Sequence, residues 1–487
     1  MESSKFINTL RLLSNAQFKR FVHFVQSPYH NQNQTLIDLV LHLNKVAPDF
    51  SGPLLQKEVI FKALFGEAEK YDPQKVFNQM SRLRQLWEKY ISIESLGQDN
   101  RQQELSLLQG LDNWGMEDQI SRSFDRSWER HQVAPIKDNA YFLHHHQLLA
   151  FAELGSRNQR RGMNANVIDR MEALDLFYLS TRLKYSCEWL NRKYISNLSG
   201  EDRLVQGLVR ELSQPDHPYL KVPAVSIYFQ ILQTFLEPQE ESHFQALLNQ
   251  LDQYEQQFGA SELKIMYDYA TNYCIRKINQ GQSHYFLELF EIYKRQLENR
   301  TMLRDGYLPH EHYKNITTVG LRLKKYDWVN SFLDQHKSSL HPDYQENAYT
   351  YNLSTYFYEQ QRYTEAMKLL QKVSFTDVYM DLSARSMLLR IYYETGDMDS
   401  LRYHLEAFRA FLKRNKSISK IKLEQHLALI RFSKKLMRLY KSRRLADPQN
   451  YEERRLALKD DLSNANSLHL NWLRAQCESL ALSSQLG

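Results

Sequence analysis

Apolar residues along this chain recur every three or four positions, and proline marks the gaps between such runs. After Asp72-Pro73, Val76, Met80, Leu83, Trp87 and Ile91 follow at steps of four, three, four and four. An N-cap Asp can accept one of the unpaired N–H groups of a first turn, and Pro at N1 gives up no helical hydrogen bond. The spacing therefore predicts an amphipathic helix from residue 73. Ser14-Asn15-Ala16-Gln17 reads as a capping box with Leu13 and Phe18 as a hydrophobic staple. Phe18, Phe21, Val22 and Val25 continue it, so a first helix is expected to begin near Ser14. Pro223 opens another, with Val225, Phe229, Leu232 and Leu236 on one face and Pro238 as its stop. Further helical runs cover Asn139 to Leu154, Gln239 to Phe258 and Glu262 to Ile278, and no sustained period-two alternation calls for strands. The expected fold class is all-α.

A pattern repeats in the last third. Leu353 to Tyr358 runs through Tyr363 and Ala366 to Leu370 and Val373. Leu388, Tyr392, Leu401, Leu405 and Phe408 repeat it 35 residues on, and Ile316, Tyr326, Val329 and Leu333 precede it by 37. This resembles the tetratricopeptide repeat, whose period is about 34 residues. In that family a small Ala in helix B lets the two helices approach, the place held here by Ala366. Val329 and Leu401 stand there in the neighbouring units. The resemblance implies an α-solenoid of degenerate tetratricopeptide-like helix pairs. We expect a helical N-terminal domain over 1–97, the repeat array over 98–448 with its clearest units at 310–412, and capping helices over 449–487.

The same resemblance implies that helix A of each unit lines a concave groove. Carried over position by position, the groove comprises Lys314, Thr318, Leu321 and Arg322, then Tyr351, Thr355, Tyr358 and Glu359, then Ser386, Arg390, Tyr393 and Glu394. Tyr and Arg offer large contact faces with polar handles, the side chains enriched at binding hot spots. The carboxylate-clamp members carry Asn where this chain has Thr318 and Thr355, so chaperone-tail binding is not inferred. A second reading, in which the tyrosines pack between repeats, stays open at this stage.

In the N-terminal region the run Gln56 to Phe65 predicts a short helix before the one at Asp72, whose polar face presents Lys75, Asn78, Gln79 and Arg82. With Met80-Ser81-Arg82-Leu83-Arg84, residues 54–90 resemble the recognition-helix region of bacterial activators that join a winged helix-turn-helix to a tetratricopeptide-like domain. The β-wing such a domain would carry next has no counterpart in Ile91 to Gly97. Leu13-Ser14, the Ser27-Pro28-Tyr29-His30-Asn31 turn and Trp472-Leu473 also resemble a large group of bacterial helical-repeat proteins to which no activity is attached.

Composition agrees with helices: 487 residues hold only 15 Gly and 12 Pro, and 42% are hydrophobic. The formal net charge is +6, but its distribution matters more. Between Lys413 and Arg444 there are 12 Lys and Arg against one acid, Glu424. Lys420, Arg431, Lys434, Lys435, Arg438 and Lys441 share one arc of a helix, opposite Leu423, Leu429, Phe432 and Leu436. Two readings stand: a solvated face, or a site for phosphates or an acidic partner.

No phosphate-binding Gly loop, dinucleotide fingerprint or nucleophile elbow occurs. His144-His145-His146 point about 100° apart on a helix and cannot converge on one metal. Pro309-His310-Glu311-His312 lacks the four-residue spacing of a helical zinc pair and reads as a helix start. Cys187, Cys274 and Cys477 lie far apart, as in a reducing compartment, and neither a secretory leader nor a membrane span is recognised. We therefore expect a cytoplasmic, non-enzymatic scaffold without cofactor or metal, binding an unknown protein or peptide. The alternative is a nucleic-acid-binding regulator using the Lys75–Arg82 face, the basic 413–444 segment, or both.

Overall fold

Regular structure in the computed structural model, which describes residues 1–155, 165–196, 199–372, 378–443, 447–463 and 465–481, is helical. Val373 and Arg444 lie outside the described residues. Among those described, β-pairing is confined to isolated bridges such as Leu308 to Leu340. By contacts the chain divides into two units, Met1–Lys184 and Tyr185–Gly487. The expected boundary at 97/98 falls within the last turn of a helix, and the one at 448/449 falls at the first turn of another.

In the first unit, α1 (Lys5–Leu10), α2 (Asn15–Gln26), α3 (Gln34–Asn44), α4 (Lys57–Phe65) and α5 (Pro73–Gln98) bury one core around Phe18, Phe21, Leu39, Ile60 and Leu83. The capping box forms as its sequence dictates: Ser14 Oγ accepts from Gln17 N while Gln17 Oε1 accepts from Ser14 N. The helix at Ser14 is nonetheless the second, because Ser4 caps a short helix before it. Asp72 caps α5 by accepting from Gln74 N at 2.8 Å. Tyr90, rather than Ile91, ends the buried stripe of α5, and Ile91 is 37% exposed. From Val76, at about 100° per residue, Tyr90 lies about 40° off the stripe and Ile91 about 60°. Ile91 to Gly97 belong to α5, where a wing would have followed. Then α6 (Asn100–Asn113), α7 (Glu117–Gln132) and α8 (Asn139–Gly155) pack around Leu105, Leu108, Ile120 and Leu148. The long α9 (Ala165–Ser196) carries the chain into the second unit.

The second unit continues through α10 (Val205–Leu212), α11 (Pro223–Leu236), α12 (Ser242–Tyr254), α13 (Ala260–Asn279) and α14 (Tyr285–Glu298). Next come α15 (His310–Arg322), α16 (Tyr326–His336), α17 (Pro342–Glu359), α18 (Tyr363–Lys372), α19 (Val378–Glu394) and α20 (Met398–Arg414). It ends with α21 (Lys420–Ser442), α22 (Pro448–Ser463) and α23 (Leu470–Ser479). From α11 onward each helix packs on the next, and α11 on α13, α15 on α17 and α17 on α19 pack across the intervening helix. The odd-numbered helices that crowd together in this way form the inner layer of a solenoid-like series.

The repeat offsets seen in sequence recur in the backbone. Lys324, Gln361 and Gly396, spaced by the same 37 and 35 residues, all adopt positive φ, at 55°, 61° and 73°. In the first two turns the next N–H closes on a carbonyl five residues back, Lys325 to Gly320 and Arg362 to Phe357, both at 2.9 Å. That is the Schellman closure of a helix C-terminus. The helix crossings differ between units. Ala366 is fully buried between α18 and its neighbours. In the preceding unit the bulkier Val329 takes that place, and the room comes from Gly320, where an added Cβ would stand 2.5 Å from Val329 Cγ2.

Candidate functional site

The groove positions inferred from the repeat fall on α15, α17 and α19, and the structure brings several of them into contact. Lys314 Nζ lies 5.2 Å from the centre of the Tyr351 ring and 3.4 Å from Ser383 Oγ, so it reaches from α15 past α17 to α19. The Arg390 guanidinium stacks over Tyr358 at 4.4 Å. Tyr358 Oη donates to Glu394 at 2.6 Å, and Tyr363 Oη donates to the other oxygen of the same carboxylate. Burial of Tyr358 and Tyr363, with the facing Glu394 charge, pushes both phenols upward, so they are neutral donors over the physiological range.

The three groove tyrosines, Tyr351, Tyr358 and Tyr393, are buried. The rings of Tyr351 and Tyr358 lie beneath Lys314 and Arg390, so they pack between repeats and also back the cations, whereas Tyr393 packs against Tyr440 and Trp472. Leu321 and Ser386 are buried as well, and Ser386 Oγ bonds back to Leu382 O at 2.8 Å. Thr318, Arg322 and Glu359 are exposed, and Thr355 is half-buried. Thr318 and Thr355 both spend their hydroxyls on carbonyls four residues back, of Lys314 and Tyr351.

Two histidines lie on elements outside the three repeats. His469, at the turn before α23, adopts a left-handed backbone with φ 53°. It is exposed. Desolvation, followed by the positive charges of Arg390, His426, Lys314 and Arg322, holds its pKa down to about 3. His426, on α21, is buried, with Nδ1 2.7 Å from Lys422 O. Sequence reasoning missed both histidines because no local motif signals them. They arrive by chain reversal after the repeats.

The basic run forms a single helix, α21, docked through Leu429, Ile430, Phe432, Leu436 and Leu439. Arg431, Lys434, Lys435 and Arg438 line a surface cavity of about 660 Å³ together with Arg409 from α20, Glu424 and Asn466. Lys420 and Lys441 lie away from it, and Lys441 faces Asp399 at 3.6 Å. Lys435 is ion-paired with Asp461. Arg409 went unnoticed in sequence because it belongs to the preceding helix.

On the N-terminal helix, Lys75 is ion-paired with Glu69, and Asn78 accepts from Gln74 at 3.0 Å. Gln79 is half-buried with its Oε1 enclosed, while Arg82 is exposed. Lys75 and Asn78 are exposed as well. His144 and His145 converge on His131 of α7 but meet different ring nitrogens, Nδ1 at 3.3 Å and Nε2 at 3.0 Å, while His146 turns to Arg170 O. Among the described residues no group of three His, Cys, Asp or Glu side chains is placed to hold a metal ion. Among them, too, no helix is long and apolar enough to cross a membrane.

No known family's sequence profile matches this chain, and no curated protein matches it.

Proposed function

We propose that this chain is a non-enzymatic, tetratricopeptide-like helical scaffold that binds a peptide or protein on the inner face of α15, α17 and α19. One observation carries the reading. Lys314 over Tyr351 and Arg390 over Tyr358, drawn from three successive units, set two cations on aromatic rings, with Arg322 and Thr318 exposed on α15. Cations backed by aromatics desolvate cheaply and suit an interface hot spot. The unpaired, buried Cys187, Cys274 and Cys477 suit a cytoplasmic setting. The test is affinity purification from native cells at moderate salt, comparing the natural chain with Arg322→Glu and Thr318→Glu. Both sites are exposed, so the fold should survive. Loss of a stoichiometric partner in these variants is the expected result, and unchanged recovery would remove the groove from the proposal.

The cavity on α21 favours a second reading, in which Arg409, Arg431, Lys434, Lys435 and Arg438 engage nucleic-acid phosphates. Such binding should weaken linearly in log salt, whereas a mainly apolar peptide contact should respond far less. Nucleic-acid affinity that survives charge reversal at Arg431, Lys434, Lys435 and Arg438 would exclude this surface.

A further inference from the structure

We propose that the cavity between the start of α16 and the end of α17 binds a guanidinium group, the side chain of an arginine in a partner. The site goes beyond the groove reading and shares only Glu359 with it.

The cavity, of about 540 Å³, opens to the surface. Tyr326 and Asp327 line it from the first turn of α16, and Tyr356, Glu359, Gln360 and Gln361 from the end of α17 and the turn after it. The rings of Tyr326 and Tyr356 meet edge-on, with 6.4 Å between their centres. Among the described residues Asp327 and Glu359 make no ion pair and no hydrogen bond through their carboxylates. The cations nearest in sequence stand off the lining. Arg362 is held by Glu365 at 3.0 Å and lies over Phe357, Lys325 lies over Phe290, and Arg322 and Lys324 do not reach the cavity wall. The lining thus carries two carboxylates and no cation.

The next repeat shows what this place accepts. At the offsets of 37 and 35 residues Tyr326 corresponds to Tyr363 and Glu359 to Glu394, and each glutamate is the last residue of its helix. A carboxylate there faces the negative end of the macrodipole, so it calls for donors from outside the helix. Glu394 has them in the phenols of Tyr358 and Tyr363 and in the indole N–H of Trp472, a planar donor packed edge-on against Tyr393. Glu359 has none. The chain fills one copy of the site from within and leaves the other open.

One difference between the copies sets the charge of the occupant. Thr364 stands where Asp327 stands one repeat earlier. Asp327 also suits the first turn of α16, whereas nothing in the fold accounts for Glu359. A lone carboxylate is met by a neutral indole; two carboxylates favour a planar N–H donor that is itself charged. Guanidinium meets both demands, since it forks onto carboxylates and lies on aromatic rings in a way that a compact ammonium does not.

The test titrates the full chain with Nα-acetyl-L-arginine amide and reads the tyrosine ring signals by NMR, with the lysine analogue as the ammonium and the citrulline analogue as the uncharged isostere. Saturable binding is expected for arginine, several-fold tighter than for lysine, and none for citrulline. Asp327→Asn and Glu359→Gln should each weaken it at least about threefold, the scale of a partly exposed charge pair. Both positions are exposed, so the fold should survive, and thermal unfolding checks this. Asp327→Thr, which copies the next repeat, should remove most of the preference for arginine over citrulline. Glu406→Gln, at an exposed acid on α20, should change nothing. Arg322→Glu, the groove variant, should not weaken the binding, so the two readings fail separately. The inference is overturned if lysine or citrulline binds as tightly as arginine, if the cavity variants bind like the natural chain, or if Glu406→Gln causes the same loss. Tighter binding of an arginine flanked by glycines in a short peptide supports a partner chain as the source. Equal binding marks a free guanidinium compound and overturns the assignment to a partner.

Discussion

Trp472 donates its indole N–H to Glu394 at 2.6 Å, across 78 positions of sequence. The carboxylate thereby collects three donors, with Tyr358 and Tyr363 as the others. Two of these come from the α17–α18 repeat and the third from α23, so one side chain fastens the C-terminal helix to the inner layer. The ring of Tyr393 packs edge-on to Trp472 at 5.5 Å and closes the same contact from α19.

Removing the acceptor should therefore cost more than removing any one donor. Glu394→Leu would leave two phenols and an indole unmet, each carrying a desolvation penalty of about 1 to 3 kcal/mol where water cannot replace the bond. Trp472→Phe keeps most of the packing and should cost about 1 to 2 kcal/mol. In a double-mutant cycle read by urea denaturation the two should couple by at least about 0.5 kcal/mol. Strict additivity would show that the bond contributes nothing.

Gly320 makes a sharper case, because its backbone is ordinary helix and Ala would normally gain about 1 kcal/mol of helix propensity there. The new Cβ would stand 2.5 Å from Val329 Cγ2, with Phe290 and Trp328 also in reach. Overpacking typically costs about 1 to 3 kcal/mol, so Gly320→Ala should lower the urea midpoint. Combining it with Val329→Ala should recover part of the loss. A midpoint that rises in the single variant would mean that the α15–α16 crossing has slack.

Acid should loosen the first unit through its stacked histidines. His131 lies between Tyr141 at 4.0 Å and His145 at 5.0 Å, and desolvation, then the charges of His145 and His144, lowers its pKa to about 3. His144 is lowered to about 4, by desolvation first and then by Arg101. Both values lie below the ordinary 6.5, so the unfolded chain takes up the proton first. The stability these groups contribute is whole above about pH 6.5. It falls as pH drops toward 4, by up to about 1.4 kcal/mol per pH unit for each histidine. Glu104, held up by desolvation despite Arg130, acts in the opposite sense and trims the loss. His131→Phe keeps an aromatic ring in the stack and should flatten the dependence between pH 7 and 5. An unchanged slope would place the acid sensitivity elsewhere.

What could be read ahead of the structure follows from where each signal is local. A cap such as Ser14 or Asp72 acts within its own turn, and the repeat offsets of 37 and 35 residues reappear as three left-handed turns. The short α1 was missed because six residues hold too little periodicity to register. Val329 looked like a departure from the repeat only because the compensating residue, Gly320, sits on the facing helix. Arg409, His426 and His469 were illegible for a related reason. Each joins its neighbours through tertiary packing, and no spacing along the chain marks it.

Ala366 tests the repeat register itself. It is fully buried, packed among Tyr351, Tyr358, Met387 and Ile391. Ala366→Leu adds volume without charge and should cost about 1 to 3 kcal/mol. Ala366→Arg adds an unpaired charge at the same crossing and should cost more, about 3 kcal/mol or above, unless its head reaches water. Thermal unfolding of the two variants separates these effects. Because Tyr358 is part of this cluster and lies under Arg390, Ala366→Leu should also disturb the cationic face without touching it. A variant that melts like the natural chain would mean that α18 can step outward freely, and that the spacing of the inner helices does not depend on a small residue here.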